Sequence, residues 1–350
     1  MNAQKLKLLV CFIGLNLTMA CVSSSTNSEE SWSIAIHAGA GVIERDTDPA
    51  VVARYYESLG SALRVGQGML DAGATALDTA EAVVVLLEND PLFNAGKGAV
   101  FNAAAEHELD SSIMNGEDLS CGAVAGVRTV KNPIRLARAV MEKTRHVLLS
   151  GVGAEAFADT MKSIERVPQS YFSTDHRRAA LEKKLKTQAQ ARADLSARGL
   201  PDDQVKSTVG CVVLDQHGNL AAATSTGGLT AKRWGRIGDS PIIGAGTYAA
   251  NDTCAVSCTG TGEEYIRHGV ARDVADRMRY LGTSLSTSAE HVVHKILQPD
   301  DGGLISVDRH GNISMPYNTL GMFRAAATSS GRSEVAIWDE AIPVSPASQP

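Results

Sequence analysis

Past Trp32 the chain alternates short apolar runs, glycine turns and longer amphipathic stretches. Ser33-Ile-Ala-Ile-His-Ala-Gly-Ala-Gly reads as a strand ending in a glycine turn. Residues 54–87 carry apolar positions at helical spacing, and Asp71-Ala-Gly-Ala divides them into two helices. Pro91-Leu-Phe-Asn-Ala-Gly-Lys-Gly is too rich in glycine for regular structure and predicts a loop. Residues 109–114 and 121–127 read as strands of small residues, and 133–143 as a helix with proline in its first turn. Thr208-Val-Gly-Cys-Val-Val-Leu-Asp, a His-Gly-Asn turn and Leu-Ala-Ala-Ala-Thr-Ser-Thr make an antiparallel hairpin of tightly packed strands. Nearly the same phrase recurs around His310, so His217 and His310 read as turn residues rather than catalysts. The run from Cys254 to Cys258 is a further strand. A single long helix is predicted over 263–281, and another over 287–297 with Thr287 and Glu290 spaced as a capping box. Strands and helices alternate in blocks, which predicts sheets covered by helices.

Two stretches break this pattern. The first thirty residues hold two lysines, an apolar run from Leu8 to Ala20, then Cys21 and a polar tract. The run falls short of the roughly 20 residues of a bilayer span. It reads as a signal peptide over 1–20, followed by a polar tether over 21–31. Ala20-Cys21 also resembles a lipoprotein cleavage site, so a lipid anchor at Cys21 is an expectation, and with it a periplasmic or secreted location. The second stretch, 175–207, is dominated by Arg, Lys, Gln, Ala and Asp and reads as a mobile linker, partly a solvated helix over 177–198.

Composition narrows the function. The 350 residues are 44% hydrophobic and 21% charged, which excludes a disordered chain. Net charge is −6 with no block of like charge, and aromatics are only 5%, which argues against a nucleic-acid surface. Four of the six cysteines, 121, 211, 254 and 258, lie beyond the leader and lack metal-type spacing. Residues 254 and 258 share a strand face yet lie too far apart to bridge, so buried free thiols are expected.

Familiar catalytic motifs are missing: no G-x-S-x-G elbow, Walker loop or H-E-x-x-H occurs. Glu290, His291 and His294 read as a solvated helix face. What stands out is the density of hydroxyl, glycine and charge between Thr208 and Gly262. Turn-making and tight packing account for any one of its clusters. Arg236 and Asp239, three apart in a glycine-rich loop, also suit the carboxylate and ammonium of an amino acid.

The motifs His-Ala-Gly-Ala-Gly (37–41), Pro-Leu-Phe-Asn-Ala-Gly (91–96), Thr-Val-Gly (208–210), Thr-Ser-Thr-Gly-Gly (224–228), Gly-Arg-Ile-Gly-Asp-Ser-Pro (235–241) and Cys-Thr-Gly-Thr-Gly-Glu (258–263) occur in order. With them the chain resembles the plant-type L-asparaginase/isoaspartyl peptidase branch of the N-terminal-nucleophile hydrolases, from residue 36 to about 321. The resemblance implies an α+β fold, a four-layer αββα sandwich. It also implies self-cleavage between Ser207 and Thr208 into an α chain, 32–207, and a β chain, 208–350, that together form one domain. Cleavage turns Thr208 into a chain terminus whose α-amine, with a typical pKa of ~7.7–8.0, is the base for its own hydroxyl. By the same resemblance Thr226 orients the nucleophile, and the Thr259 hydroxyl with the Gly260 amide forms the oxyanion hole. Arg236 takes the substrate carboxylate, Asp239 with the Gly262 main chain takes its amine, and Asn94 supports the substrate site. The main chain of Leu87, Glu88, Asp90, Phe93, Ala95 and Lys97 corresponds to a structural Na⁺ loop, with no cofactor needed for catalysis. Cleaved protomers are expected to pair as dimers.

The implied activity is hydrolysis of β-aspartyl dipeptides and L-asparagine. Two alternatives stay open here: a glycosylasparaginase, and an uncleaved inactive precursor that binds aspartyl ligands. The second arises because glycine usually precedes the family's nucleophile, whereas Ser207 stands here. Glycine reaches strained backbone states that serine reaches only at a cost, so slower maturation is expected.

Overall fold

The computed structural model describes residues 31–41, 43–193 and 207–345. The expected export signal and most of the tether, residues 1–30, lie outside them, as does the linker segment 194–206. No described helix is long and apolar enough to cross a membrane.

Two β-sheets stack face to face between two layers of helices. The larger has nine strands, in the spatial order β13-β12-β11-β1-β5-β6-β2-β3-β4: Ala341–Pro343, Ser333–Ala336, Met322–Thr328, Ser33–Ala40, Val209–Leu214, Leu220–Thr226, Leu109–Asn115, Cys121–Val127 and Leu148–Ser150. The smaller has four, β10-β9-β8-β7: Ile313–Ser314, Gly302–Asp308, Cys254–Gly260 and Thr247–Ala249. Helices α1 (Pro49–Asp71), α2 (Ala76–Asn89) and α3 (Pro133–Lys143) close the outer face of the large sheet, with Leu59, Leu63, Val83, Val84 and Leu136 in one apolar core. A second core runs from Ala35, Val212 and Ala222 through the small sheet to helices α7 (Val270–Leu281) and α8 (Leu285–His291). This is the expected αββα sandwich. Alanine-rich strands such as β6 suit it, because small side chains let two sheets approach closely.

Local chemistry sets most boundaries. Asp48 caps α1 by accepting the Ala50 N–H at 2.8 Å, with Pro49 in the first turn. Thr75 does the same for α2 through the Asp78 N–H at 3.1 Å. The two histidine turns are built alike. Asp215 Oδ1 accepts the His217 and Asn219 N–H groups, and Asp308 Oδ1 accepts those of His310 and Asn312. The four described cysteines are free; three are buried and Cys121 is half-buried.

Several expectations need correction. The helix predicted over 263–281 is two, α6 (Gly262–His268) and α7, because Gly269 adopts a left-handed conformation (φ +57°) that ends the first. The capping box at Thr287 and Glu290 does not form. Ser284 is the cap and accepts the Thr287 N–H at 3.2 Å, while Glu290 pairs with His294 at 3.1 Å on the helix surface. The segment taken for a mobile linker is, over Asp175–Ala193, helix α5, and its first half is docked. Arg177 Nε donates to the Gly98 carbonyl at 2.8 Å, and Leu181 packs with Phe101 and Ala231. A single buried arginine and two leucines anchor a helix whose overall composition is solvated.

Candidate active site

The hairpin of β5 and β6 sets the centre of the site. Its register pairs Val209 with Ser225, which brings Thr208 and Thr226 level at the open end. Their hydroxyl oxygens lie 3.2 Å apart, with Thr208 Oγ1 donating. Thr226 Oγ1 also accepts the Gly228 N–H at 3.0 Å, so the turn after β6 holds the hydroxyl that holds Thr208. The other sheet supplies Thr259 from β8, whose Oγ1 accepts the Thr208 N–H at 3.4 Å. Gly260 follows, at a place where a Cβ would stand 2.1 Å from the Asp301 carbonyl, so no side chain fits there. Ser207 and Thr208 are both buried.

Arg236, Asp239 and Gly262 form a second group. A Cβ at Gly262 would lie 2.7 Å from Arg236 Nη2 and 3.0 Å from Asp239 Oδ1, so the glycine is what lets the two charges flank one space. Glu263, the first-turn acid of α6, accepts from Arg236 Nε at 2.9 Å and from Nη2 at 2.8 Å. The hydrogen bonds from Arg236 hold the Glu263 carboxyl below its usual range. Nη1 of Arg236 makes no hydrogen bond among the described residues. Asp239 is buried, and its Oδ2 has no partner among them. Burial pushes this acid up to about 7, against the pull of Arg236. A buried carboxylate with one oxygen unpartnered among the described residues, beside a guanidinium, has the chemistry to receive an ammonium and a carboxylate on one carbon.

Asn94 works one step away. Its Nδ2 donates to the Gly228 carbonyl and its Oδ1 accepts from Val100, both at 2.8 Å. Its amide thus clamps the turn behind Thr226.

Three charged or polar groups in the site had no sequence assignment. Glu263 stood inside a quoted motif without a role; only folding brings it against Arg236. His37, in β1, reaches the Thr208 carbonyl. Lys232 is buried with its Nζ donating to the Glu108 carbonyl at 2.8 Å and 4.0 Å from Asp110 Oδ2. Asp110 pairs in register with Thr226, and burial raises its pKa. A short run of sequence carries no sign of either contact.

Glu88, at the end of α2, is fully buried. Its Oε1 accepts from Ser225 Oγ at 2.6 Å and from the Ile134 N–H at 3.0 Å, while Oε2 has no partner among the described residues. Burial pushes it up to about 7. A raised folded-state pKa stabilises at low pH and costs stability as pH climbs through the folded value. Between about pH 5 and pH 7 the wild type should therefore lose stability relative to Glu88→Gln, on the order of a few kcal/mol, read as a falling difference in melting temperature. Parallel curves would contradict this.

A four-layer αββα sandwich with a threonine hydroxyl at the head of a central strand, beside a second threonine, is the arrangement of N-terminal-nucleophile hydrolases. A family model described as asparaginase matches residues 30–337, and the chain belongs to that family. It is 48% identical over 312 residues to the isoaspartyl peptidase of Escherichia coli K12, covering 88% of this chain and 96% of that one. It is 42% identical over 331 residues to a probable isoaspartyl peptidase/L-asparaginase 2 of Arabidopsis thaliana, covering 88% and 99%. Against the isoaspartyl peptidase/L-asparaginase of Rattus norvegicus the figure is 40% over 284 residues, covering 80% and 82%.

Proposed function

We propose that this chain hydrolyses β-aspartyl dipeptides and L-asparagine with Thr208 as an N-terminal nucleophile, exposed by cleavage of its own 207–208 peptide bond. The observation that carries this reading is the 3.2 Å contact between the Thr208 and Thr226 hydroxyls, with Thr259 on the other side of the same residue. In maturation Thr208 Oγ attacks the Ser207 carbonyl carbon and the C–N bond breaks as the C–O ester forms. Water then hydrolyses that ester, leaving a Ser207 carboxylate and a free Thr208 amine.

The mature reaction repeats the pattern on substrate. Arg236 through its free edge takes the α-carboxylate, and Asp239 takes the α-ammonium. Thr208 Oγ adds to the side-chain carbonyl as its proton passes to the Thr208 amine. The Thr259 hydroxyl and Gly260 N–H receive the oxyanion, where one such donor is worth roughly 2.7–4 kcal/mol. Collapse expels ammonia or the amino acid, which takes the proton back from the Thr208 ammonium. Water, deprotonated by the same amine, opens the ester and frees aspartate. The pair Arg236 and Asp239 reads only the aspartyl part, so both leaving groups are accommodated.

The reading extends to a Na⁺ in the loop of residues 87–97. What supports it is the convergence of two main-chain carbonyls, those of Pro91 and Phe93, 2.5 and 2.6 Å from where a Cβ on Gly98 would stand, oxygen donors of the kind a hard cation takes. The ion would supply no chemistry, only stiffness to the loop that carries Asn94. Export to the periplasm or outside the cell, a lipid at Cys21, and dimers of cleaved protomers complete the proposal, supported by the leader sequence and the family.

Purified protein should run as two bands on a denaturing gel, with one new N-terminus at Thr208, and should release aspartate from L-asparagine and β-Asp-Leu faster than from a glycosylated asparagine. A persistent single band with aspartate binding but no turnover would favour the inactive precursor. Preference for the glycosylated substrate would favour a glycosylasparaginase. Slow appearance of the two bands is the expected mark of Ser207.

A further inference from the structure

A line of buried polar side chains runs between the sheets: His37, Ser257, Thr224, Thr247 and Ser112. His37 Nδ1 lies 2.9 Å from the Thr208 carbonyl oxygen, and Nε2 lies 2.8 Å from Ser257 Oγ. A carbonyl can only accept, so Nδ1 carries the proton and Nε2 accepts from Ser257. The proton directions then follow in sequence. Thr224 donates to Ser257 at 2.7 Å, Thr247 donates to Thr224 at 2.6 Å, and Ser112 shares its one proton between Thr247 Oγ1 at 2.8 Å and the Ser240 carbonyl at 2.6 Å. Other acceptors for the Ser257, Thr224 and Thr247 protons are carbonyls farther off, at 3.4, 3.3 and 3.2 Å. One end of the line is the nucleophile's own carbonyl. The other is the residue after Asp239.

The third residue of the Thr-Val-Gly motif makes the line possible. Gly210 pairs in register with His37, and a Cβ there would stand 2.0 Å from Ser257 Oγ and 2.5 Å from His37 Nε2. Gly210 has no left-handed torsion to explain it. It is glycine because the His37–Ser257 hydrogen bond passes over it. Burying so many polar groups costs more than an apolar core would, unless each is satisfied and the network does something.

We propose that His37 is a positioning residue for the nucleophile: its Nδ1–H holds the Thr208 carbonyl, and the Ser257–Thr224–Thr247–Ser112 line ties that carbonyl to the substrate loop at Ser240. With β5 holding Val209 and His37 holding the Thr208 carbonyl, the peptide plane behind the nucleophile cannot rotate. The hydroxyl therefore stays on Thr226, and its distance to the ammonium-binding carboxylate is set through one rigid connection. This rests on Thr208 being the nucleophile.

The test compares His37→Phe, which fills the space without a donor, with His37→Asn, whose amide N–H overlays Nδ1, and with Ser257→Ala. Each is followed by kcat and KM on L-asparagine, by self-cleavage on a gel, and by melting temperature. A misplacement of about 1 Å costs about 10²-fold, so His37→Phe should lose on that order in kcat with KM within roughly threefold. His37→Asn should recover about tenfold of it, and Ser257→Ala should fall between. Wild-type kcat in folded His37→Phe overturns the proposal. So does His37→Asn no better than His37→Phe, which would leave only packing. Should His37→Phe not fold, Ser257→Ala with unchanged kcat and self-cleavage overturns it. If wild type hydrolyses neither substrate, the substrate reading fails by itself, and the rate of cleavage at 207–208 still reports how well Thr208 is placed.

Discussion

Thr208→Ala is expected to remain a single full-length chain and to lose hydrolysis by at least ~10⁴-fold, the scale seen when a catalytic nucleophile is removed. The geometry leaves no substitute. Thr226 Oγ1 is the nearest hydroxyl, but it already accepts from Thr208 and from the Gly228 N–H, and its own amine lies in the middle of a chain. Thr208→Ser keeps the oxygen and should retain measurable cleavage and turnover, because what is lost is a methyl group that limits rotation about χ1. Thr259→Ala should cost less, roughly 10²–10³-fold in kcat, since one oxyanion donor remains at Gly260. Electrophoresis of the two variants beside wild type, with aspartate release measured on each, checks the order. Turnover at wild-type rate in Thr208→Ala would remove the basis of the mechanism.

The second large effect concerns Asp239. It must be ionised to receive the substrate ammonium, yet burial has pushed it up to about 7 in the free protein. As pH falls below that value the acid takes a proton and capture fails, so kcat/KM should drop about tenfold per pH unit. The Thr208 amine, with a typical pKa of ~7.7–8.0, must also be unprotonated and gives a limb of the same sign. The two separate in the bound complex. A substrate ammonium against Asp239 favours its charged form, so the Asp239 limb is absent from kcat, whereas the amine limb stays in both profiles. Arg236 lowers the Asp239 pKa, while Glu263 and Asp110 raise it. Removing the guanidinium by Arg236→Ala should therefore move the kcat/KM limb to higher pH as well as raise KM by about 10²-fold. Asp239→Asn should remove that limb and leave the other. Identical pH profiles for wild type and Asp239→Asn would contradict the assignment.

Glu263 changes what Arg236 means. A lone half-buried arginine between two glycines would have rotamer freedom to lose on each binding event. Held by two hydrogen bonds to Glu263, it presents its remaining edge already aimed, and the flanking glycines leave space for a ligand instead of for side chains. The same logic runs through His37 and Gly210 on the other side of the site. In both places a glycine leaves room for polar groups that a Cβ would displace.

The linear order of residues determined everything whose cause lies within a few positions. The hairpin after Thr208 follows from alternating small and apolar residues around an Asp-x-His-Gly-Asn turn. The loop at Pro91, the caps at Asp48 and Thr75 and the break at Asp71 rest on equally local chemistry. The six ordered motifs pointed to the family, which the comparisons show, and through that resemblance to Thr208, Thr226, Thr259, Arg236 and Asp239 as the residues to test. Tertiary structure decided what depends on meeting across distance. β11 to β13 complete the large sheet, although Met-Phe-Arg-Ala-Ala-Ala-Thr is mostly alanine with Thr328 its one branched residue, because β1 offers β11 an edge and the core accepts small side chains. Docking of α5 rests on Arg177 meeting the Gly98 carbonyl. Glu263 on Arg236, and His37 on Thr208, are pairs 27 and 171 residues apart. No periodicity or propensity spans such separations; packing two sheets against each other does, since it alone fixes which polar atoms must find one another once water is gone.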